Sequence, residues 1–429
     1  MNLPVKEADT TEWLIGGDAE RSLVGLPGSA RLTAVRRAAL NRFRAAGLPT
    51  RRDEAWKYTD LAAAIRAPSR LAAHPGAVPA PSLDGTIRVG MLNGFIVALD
   101  AQGCPPGVSL QRLSDGFDGE ALGAALDDAD KPLVALNTAL FADALLVKVA
   151  DGVVVERPIE IVSLGQGDEA PTEFHPRCLI ALGRGSSATI VERHLGSGRY
   201  VANGVVEIAL AEHATLRHYK LQLDSADAVH VAATGVLLGA GASYEGAILQ
   251  LGGSLARSEM HAALDGPAAS FTLEGAVLAG GRQHIDNTTR VVHRAAGGRS
   301  RQVFRSVLDD KSRGVFQGTV LVERNAQKTD AHQLSQALLL AQGAEMDAKP
   351  ALEIFADDVK CGHGASIGAL DETALFYLRS RGVGVAEARR LLIEGFLAEV
   401  IDRIASEPAR AAFAAAVDER LCAVRPKEE

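Results

Sequence analysis

Between residues 183 and 318 the chain reads as short runs in which apolar and polar side chains alternate, each run ended by a glycine or acidic turn. Ala188-Thr189-Ile190-Val191-Glu192 is one such run, and Val205-Val206-Glu207-Ile208-Ala209-Leu210 is another. Alternation with period two puts one set of side chains on each face of a strand. A small residue that opens a strand after such a turn recurs at Ala188, Ala214, Ser243, Ser270 and Ser300, at spacings of 26, 29, 27 and 30 residues. A period within roughly 20 to 50 residues is the mark of a solenoid, in which each unit buries its apolar face only on its neighbours. The spacing predicts the coils of a β-helix or the rungs of a flattened β-roll. A large β-sandwich with evenly spaced strands is the alternative.

Proline supports the same division. Thirteen of the 17 prolines lie at or before Pro176, and only Pro267 falls between 177 and 349. Proline cannot donate to a β ladder, so a long stretch nearly free of it suits continuous sheet. Both ends read as helix. Leu32, Val35, Ala39, Leu40 and Phe43 share a helix face that stops at Gly47-Leu48-Pro49. Near the other end, Asp371 is placed to cap a short helix through Tyr377 and Leu378, halted at Gly382. A longer helix is predicted from Ala386 to Ile404, with Leu391, Leu392, Phe396, Val400 and Ile404 on its buried side. The stretch Pro68 to Pro81, with four prolines, reads as a linker.

Composition narrows the function classes. The 429 residues are 47% hydrophobic and 23% charged, which suits a folded chain of two or three domains. Aromatics are only 4%, so the core rests on Val, Leu, Ile and Ala and needs area. With 45 Lys and Arg against 53 Asp and Glu the net charge is -8, which argues against a nucleic-acid or anionic-membrane binder. The four cysteines, at 104, 178, 361 and 422, form no CxxC pair and no disulfide framework. Met1 to Trp13 carries Lys6, Glu7, Asp9 and Glu12 where a signal peptide needs an apolar core. The longest uncharged stretch, Ala228 to Tyr244, holds His, Thr, Ser and Gly and does not read as a membrane helix. The expected location is the cytoplasm.

Candidate chemistry is sparse. No glycine precedes a lysine, so there is no Walker A loop; no dinucleotide fingerprint and no HExxH occur. The densest cluster is Asp357-Asp358-Val359-Lys360-Cys361-Gly362-His363-Gly364. Cys361 and His363, two apart on an extended strand, point to one face, and a thiolate beside an imidazole suits iron or zinc. Two ligands are too few for a closed site, which takes four. Taken locally, the plainer reading is a small buried thiol and a hydrogen-bonded turn histidine. His213, His218, His230 and His261 read as sheet-surface polar residues. Arg290 to Arg313, with six Arg and one Lys against Asp309 and Asp310, reads as a charged, solvated strand edge rather than an anion site.

Several longer strings carry a family resemblance. They are Val315-Phe316-Gln317-Gly318, Ala326-Gln327-Lys328-Thr329-Asp330-Ala331, Leu338-Leu339-Leu340, Lys349-Pro350-Ala351-Leu352-Glu353-Ile354, the 357–365 cluster, and Leu375-Phe376-Tyr377-Leu378-Arg379-Ser380-Arg381-Gly382. Together they resemble the SufB/SufD family of the SUF iron–sulfur cluster assembly system, closest to its SufD branch. Arg52-Asp53-Glu54-Ala55-Trp56-Lys57-Tyr58-Thr59 is similar to an N-terminal motif of the same branch. The dense match spans about 315–400, and the middle of the chain is family-like in texture only.

The resemblance implies a mainly β fold: a right-handed parallel β-helix (solenoid) core over 85–368, between an N-terminal helical domain with linker (1–84) and a C-terminal helical domain (369–429). It implies a non-catalytic assembly subunit beside a SufB-like scaffold and a SufC-like ATPase, with a homodimer as a further form of the isolated chain. It places a transient iron–sulfur cluster, shared with the partner, at His363 and Cys361, with no cluster held by this chain alone. The ATPase contact falls on Phe376, Tyr377 and Phe396, and removal of everything from Asp371 is expected to leave the β core folded. The competing class is a β-helix enzyme acting on polysaccharide. It needs paired carboxylates or a Lys or Arg base in an open groove, and the acidic pairs here sit in short turns.

Overall fold

The computed structural model describes Leu23, Gly119 and residues 25–65, 69–73, 82–116, 121–167 and 171–423. Met1 to Trp13, Pro68 and the prolines of 74–81 lie outside the described residues. Two sheets face each other along the core. The first contains β4 (Val108–Arg112), β5 (Ala144–Val149), β8 (Arg177–Leu182), β10 (Tyr200–Leu210), β12 (Val229–Leu238), β14 (Leu255–Leu264), β16 (His284–His293), β18 (Arg313–Val322) and β20 (Glu345–Ile354), in that order. The second runs from β3 (Phe95–Leu99) through β2 (Ile87–Leu92), β6 (Ile159–Gln166), β9 (Ser187–Ser197), β11 (Thr215–Leu223), β13 (Ser243–Gln250), β15 (Ser270–Ala279), β17 (Arg299–Leu308) and β19 (Asp330–Leu339) to β21 (Lys360–Gly368). From β8 onward the chain alternates between the sheets, and each strand pairs in parallel with the strand two later.

This is the predicted solenoid, with two strands to a rung. Thr215, Ser243 and Ser270 stand in one register position, so two of the five sequence markers coincide. Ala188 and Ser300 sit one place after it, and Ala214 one place before. The interior is filled by Ile190, Leu216, Phe271 and Leu273 from one sheet and Val236, Met260, Val291 and Val320 from the other. The few aromatic rings stack along the axis. Tyr244 and Phe271, register neighbours, lie 5.1 Å apart with planes 10° from parallel.

Helices cover the outer faces. Helix α1 (Ala30–Ala46) starts at Ser29, whose side chain accepts the Leu32 N–H, and ends at Gly47, where φ is +73°. With α2 (Leu61–Ile65) and α3 (Pro132–Leu140) it packs on Val201, Val229, Val231 and Leu255 of the first sheet. Arg36 takes the inward place expected for Val35, because its guanidinium stacks 4.3 Å from the centre of the Phe141 ring. The described part of the supposed linker is tied down. Arg70–Leu71 (β1) pairs with Thr172–Phe174 (β7), and Ser69 donates to Glu173 over 2.6 Å.

At the other end, Asp371 caps α4 (Glu372–Ser380) as predicted. Helix α5 runs over Val385–Ile401 and a further helix, α6, over Glu407–Ala423. Helix α5 buries Ala388, Ile393, Leu397, Val400 and Ile401, while Leu391 faces outward. Apolar residues almost encircle this helix, so the pattern leaves its inner face open. Tyr219, Leu221, Leu249 and Val307 of the second sheet select it.

Two further expectations are corrected. His218 and His230 are interior, not on the surface. His218 Nε2 lies 2.8 Å from Glu192 and its Nδ1 3.0 Å from the Tyr244 hydroxyl, while His230 Nδ1 lies 3.0 Å from Asp224. His213 is an exposed turn residue and His261 is half-buried beside Glu259. The arginine-rich stretch forms no edge, since β16, β17 and β18 each pair on both sides. Its cations meet carboxylates of other rungs: Arg301 with Glu274 at 2.5 Å, Arg294 with Asp265 at 2.8 Å and Arg313 with Asp347 at 2.6 Å.

Candidate functional site at the open end of the solenoid

The in-register stack of the second sheet fixes where the last strand aims its side chains. Cys361 stands over Ala331, Ser300, Phe271 and Tyr244; His363 stands over Gln333, Gln302 and Leu273. These are interior positions, so both residues occupy the inward register of the final rung. Cys361 is half-buried and packs on the interior core, whereas His363 is exposed. On the opposite face, His332 meets Asp330 at 3.0 Å. Burial, aided by the Asp330 carboxylate, pushes the Cys361 thiol up, against the Ala331 N–H.

The rung is open because β20 pairs only with β18 and β21 only with β19 among the described strands. Pro350 is tolerated in β20 for this reason, since an edge strand has one side without a ladder. The turn between them is held by the rung below: Asp358 N–H donates to Gln327 over 2.9 Å, and Lys328 N–H to the Asp358 carbonyl over 2.6 Å. Ile354, Phe355 and Ile367 are exposed on the final strands and the turn after β20. An apolar rim with free backbone groups is a surface fit for pairing.

Two donors do not make a metal site. Among the described residues no group of three or more His, Cys, Asp or Glu side chains is arranged to hold a metal ion. Cys178 is buried, Cys104 half-buried, and Cys422 exposed on α6. The last rung therefore offers one thiol and one imidazole on its inward register.

The three aromatic residues assigned to partner contact separate. Phe376 and Tyr377 on α4 are 72% and 54% exposed, and Arg381 lies over the Tyr377 ring at 4.5 Å. Phe396 is half-buried on α5, with the Arg305 guanidinium 4.7 Å from its ring centre. Sequence reading missed Gln302 and Gln333, the inward neighbours of His363. Counting back from His363 by one rung at a time would have found them.

Comparison with known proteins places the chain in a family. Residues 164–396 match the family described as "SUF system FeS cluster assembly, SufBD core domain", and residues 18–74 match "SufBD protein N-terminal region". The chain is 30% identical over 381 residues to an iron–sulfur cluster assembly SufBD family protein of Synechocystis, covering 83% of this chain and 84% of that one. It is 29% identical over 388 residues to the iron–sulfur cluster assembly protein SufD of Escherichia coli, covering 87% and 90%. It is also 29% identical over 293 residues to the protein of the same name in Bacillus subtilis, covering 67% of each.

Proposed function

The chain belongs to the SufBD family of the SUF iron–sulfur cluster assembly system, and from that premise we propose that it is a non-catalytic scaffold subunit working in the cytoplasm beside a SufB-like scaffold and a SufC-like ATPase. The observation that carries this reading is the open last rung. Its edge presents Cys361 and His363 on the inward register with an apolar rim around them. A related solenoid added there extends both sheets and brings its own ligands to the pair, so that a transient cluster forms at the junction and not on this chain alone. A second copy of this chain fits the same edge, which gives the isolated subunit a homodimer as its resting form.

The ATPase contact is assigned to α4, where Phe376 and Tyr377 are exposed. Phe396 supports that helix pair from within, through its packing with Arg305. Co-expression with a SufB-like and a SufC-like protein, followed by purification without air through a tag on this chain, tests the proposal. All three chains are expected to co-elute in constant ratio. Recovery of this chain free of both partners would overturn it.

A further inference from the structure

The interior changes character behind His363. Inward along its register file come Gln333 and then Gln302, before the apolar Leu273. Gln302 is 0% exposed and Gln333 is 3% exposed, and neither amide has a hydrogen-bond partner at nitrogen or at oxygen among the described residues. On the facing sheet Thr289 is buried with its hydroxyl likewise unpartnered. Its register neighbour in β18 is Gly318. The Gln333 amide lies against that glycine: a Cβ at 318 would come within 2.7 Å of Nε2. Gly318 has no left-handed φ, so it is the missing side chain, not backbone freedom, that matters there.

Five polar atoms thus sit unmet beside the apolar Val291, Phe304, Phe316 and Val320. A buried polar group left so is costly, and folded proteins meet such groups with protein or with ordered water. Direct pairing along the stack is one solution. Yet the Gln333 amide is turned across the interior to Gly318, and adjacent strands are about 4.8 Å apart. Water, which takes about three hydrogen bonds when buried, suits a site with donors and acceptors on both walls.

We propose that Gln302, Gln333 and Thr289 bind a short file of water inside the last rungs, and that the file reaches the imidazole of His363, making Gln333 a positioning residue for that ring. A histidine that ligates through one nitrogen is oriented by the hydrogen bond its other nitrogen makes. The water site stands on the interior geometry, whereas its bearing on cluster chemistry rests on the function proposed above.

A crystal structure of the full chain at a resolution that shows ordered water is expected to place water within hydrogen-bond distance of both amides. Amides of Gln302 and Gln333 bonded directly to each other, with no water, would overturn the proposal. Histidine-labelled full chain, with the His363 ring-nitrogen signals assigned by their loss in His363→Ala, supplies the second readout. At a fixed pH where the ring is neutral, those shifts report which nitrogen carries the proton, and Gln333→Leu is expected to change that tautomer ratio. Gln302→Leu changes it the same way by less, and serves if Gln333→Leu fails to fold. An unchanged ratio in folded variants refutes the positioning role. Full cluster yield from a His363→Ala complex, with the water still present, would instead count against the function reading and leave the water site intact.

Discussion

The guanidinium of Arg257 lies 4.0 Å from the centre of the Trp56 ring and pins the segment from Arg51 to Thr59 to the outer face of the first sheet. Arg257 Nη2 donates to the Ala55 carbonyl over 2.8 Å, its Nε donates to Glu259 over 2.8 Å, and it pairs with Asp286. Gln317 reaches the same Ala55 carbonyl at 2.9 Å, Lys349 pairs with Glu54, and Thr59 meets His284 at 2.9 Å. The two family-like stretches that are far apart in sequence, 52–59 and 315–354, are therefore one continuous surface.

Removing this pin is expected to release the N-terminal segment before it disturbs the solenoid. Trp56 is 7% exposed, and Trp56→Ala should cost about 3–5 kcal/mol. Arg257→Ala leaves Asp286, 0% exposed, as a buried charge without its cation, at a similar cost. The double variant Arg257→Ala/Asp286→Ala should recover part of that loss. Limited proteolysis between residues 51 and 65 measures the release, with circular dichroism reporting the strands. Equal cleavage rates in wild type and Trp56→Ala would show that the segment is held by other contacts.

Two interior histidines set an acid limit on stability. His293 is 0% exposed, its Nε2 is 2.8 Å from the Ser300 hydroxyl, and burial alone pushes it down to about 4. His230 is also pushed down to about 4, burial outweighing the pull of Asp224. In the unfolded chain each takes its proton near about 6.5. The unfolded state therefore binds more protons between those values. These groups leave stability flat above about pH 6.5 and lower it as pH falls toward 4, by up to about 1.4 kcal/mol per unit for each group. His293→Gln keeps a donor for Ser300 and should flatten the denaturation midpoint between pH 7 and 5 relative to wild type. An unchanged slope would mean that His293 protonates without penalty.

The solenoid was legible in sequence because its period is set by backbone register, which small residues at strand starts track to within one place. The polar interior was not. Alternation tells which residues share a face, and says nothing of which face is enclosed when a strand such as β11 carries Leu216, His218, Lys220 and Gln222 on one side and Tyr219 and Leu221 on the other. Both faces of β11 are covered, one by the opposite sheet and one by α5 and α6, so polarity loses its usual meaning as a sign of exposure. The same holds for Cys361 and His363. Their shared face followed from spacing, but that the face looks into the open end follows only from seven strands in register. Helix α6 escaped notice although Ser406-Glu407-Pro408 is a helix start.

The C-terminal helices are part of the packed core as well as the proposed seat of the ATPase contact. Deletion from Asp371 would strip Ile393, Leu397, Val400 and Phe413 from Tyr219, Leu221 and Leu249, so the β core is not expected to stay intact without its helices. Point substitutions on α4 avoid this. Phe376→Ser with Tyr377→Ser should change stability by no more than about 0.5 kcal/mol while abolishing retention of the SufC-like partner. Retention of the ATPase by the double variant would move the contact elsewhere.

The proposed shared site makes the sharpest demand, because its test separates assembly from cluster formation. His363 is exposed on the last rung, so His363→Ala should leave the chain folded and the complex assembled. Cys361 is half-buried against the core, and its loss mixes packing with chemistry. Cys422 is the natural control: it is exposed on α6, its Sγ 3.8 Å from Asp418, on a helix that covers the second sheet. Anaerobic reconstitution of the three-chain complex, with iron and sulfide counted per complex, is expected to give wild-type content for Cys422→Ala and reduced content for His363→Ala. If the two variants hold equal amounts, His363 is not a ligand at the junction. If this chain alone keeps a stable cluster, the ligands are complete without a partner, and the open edge serves assembly only.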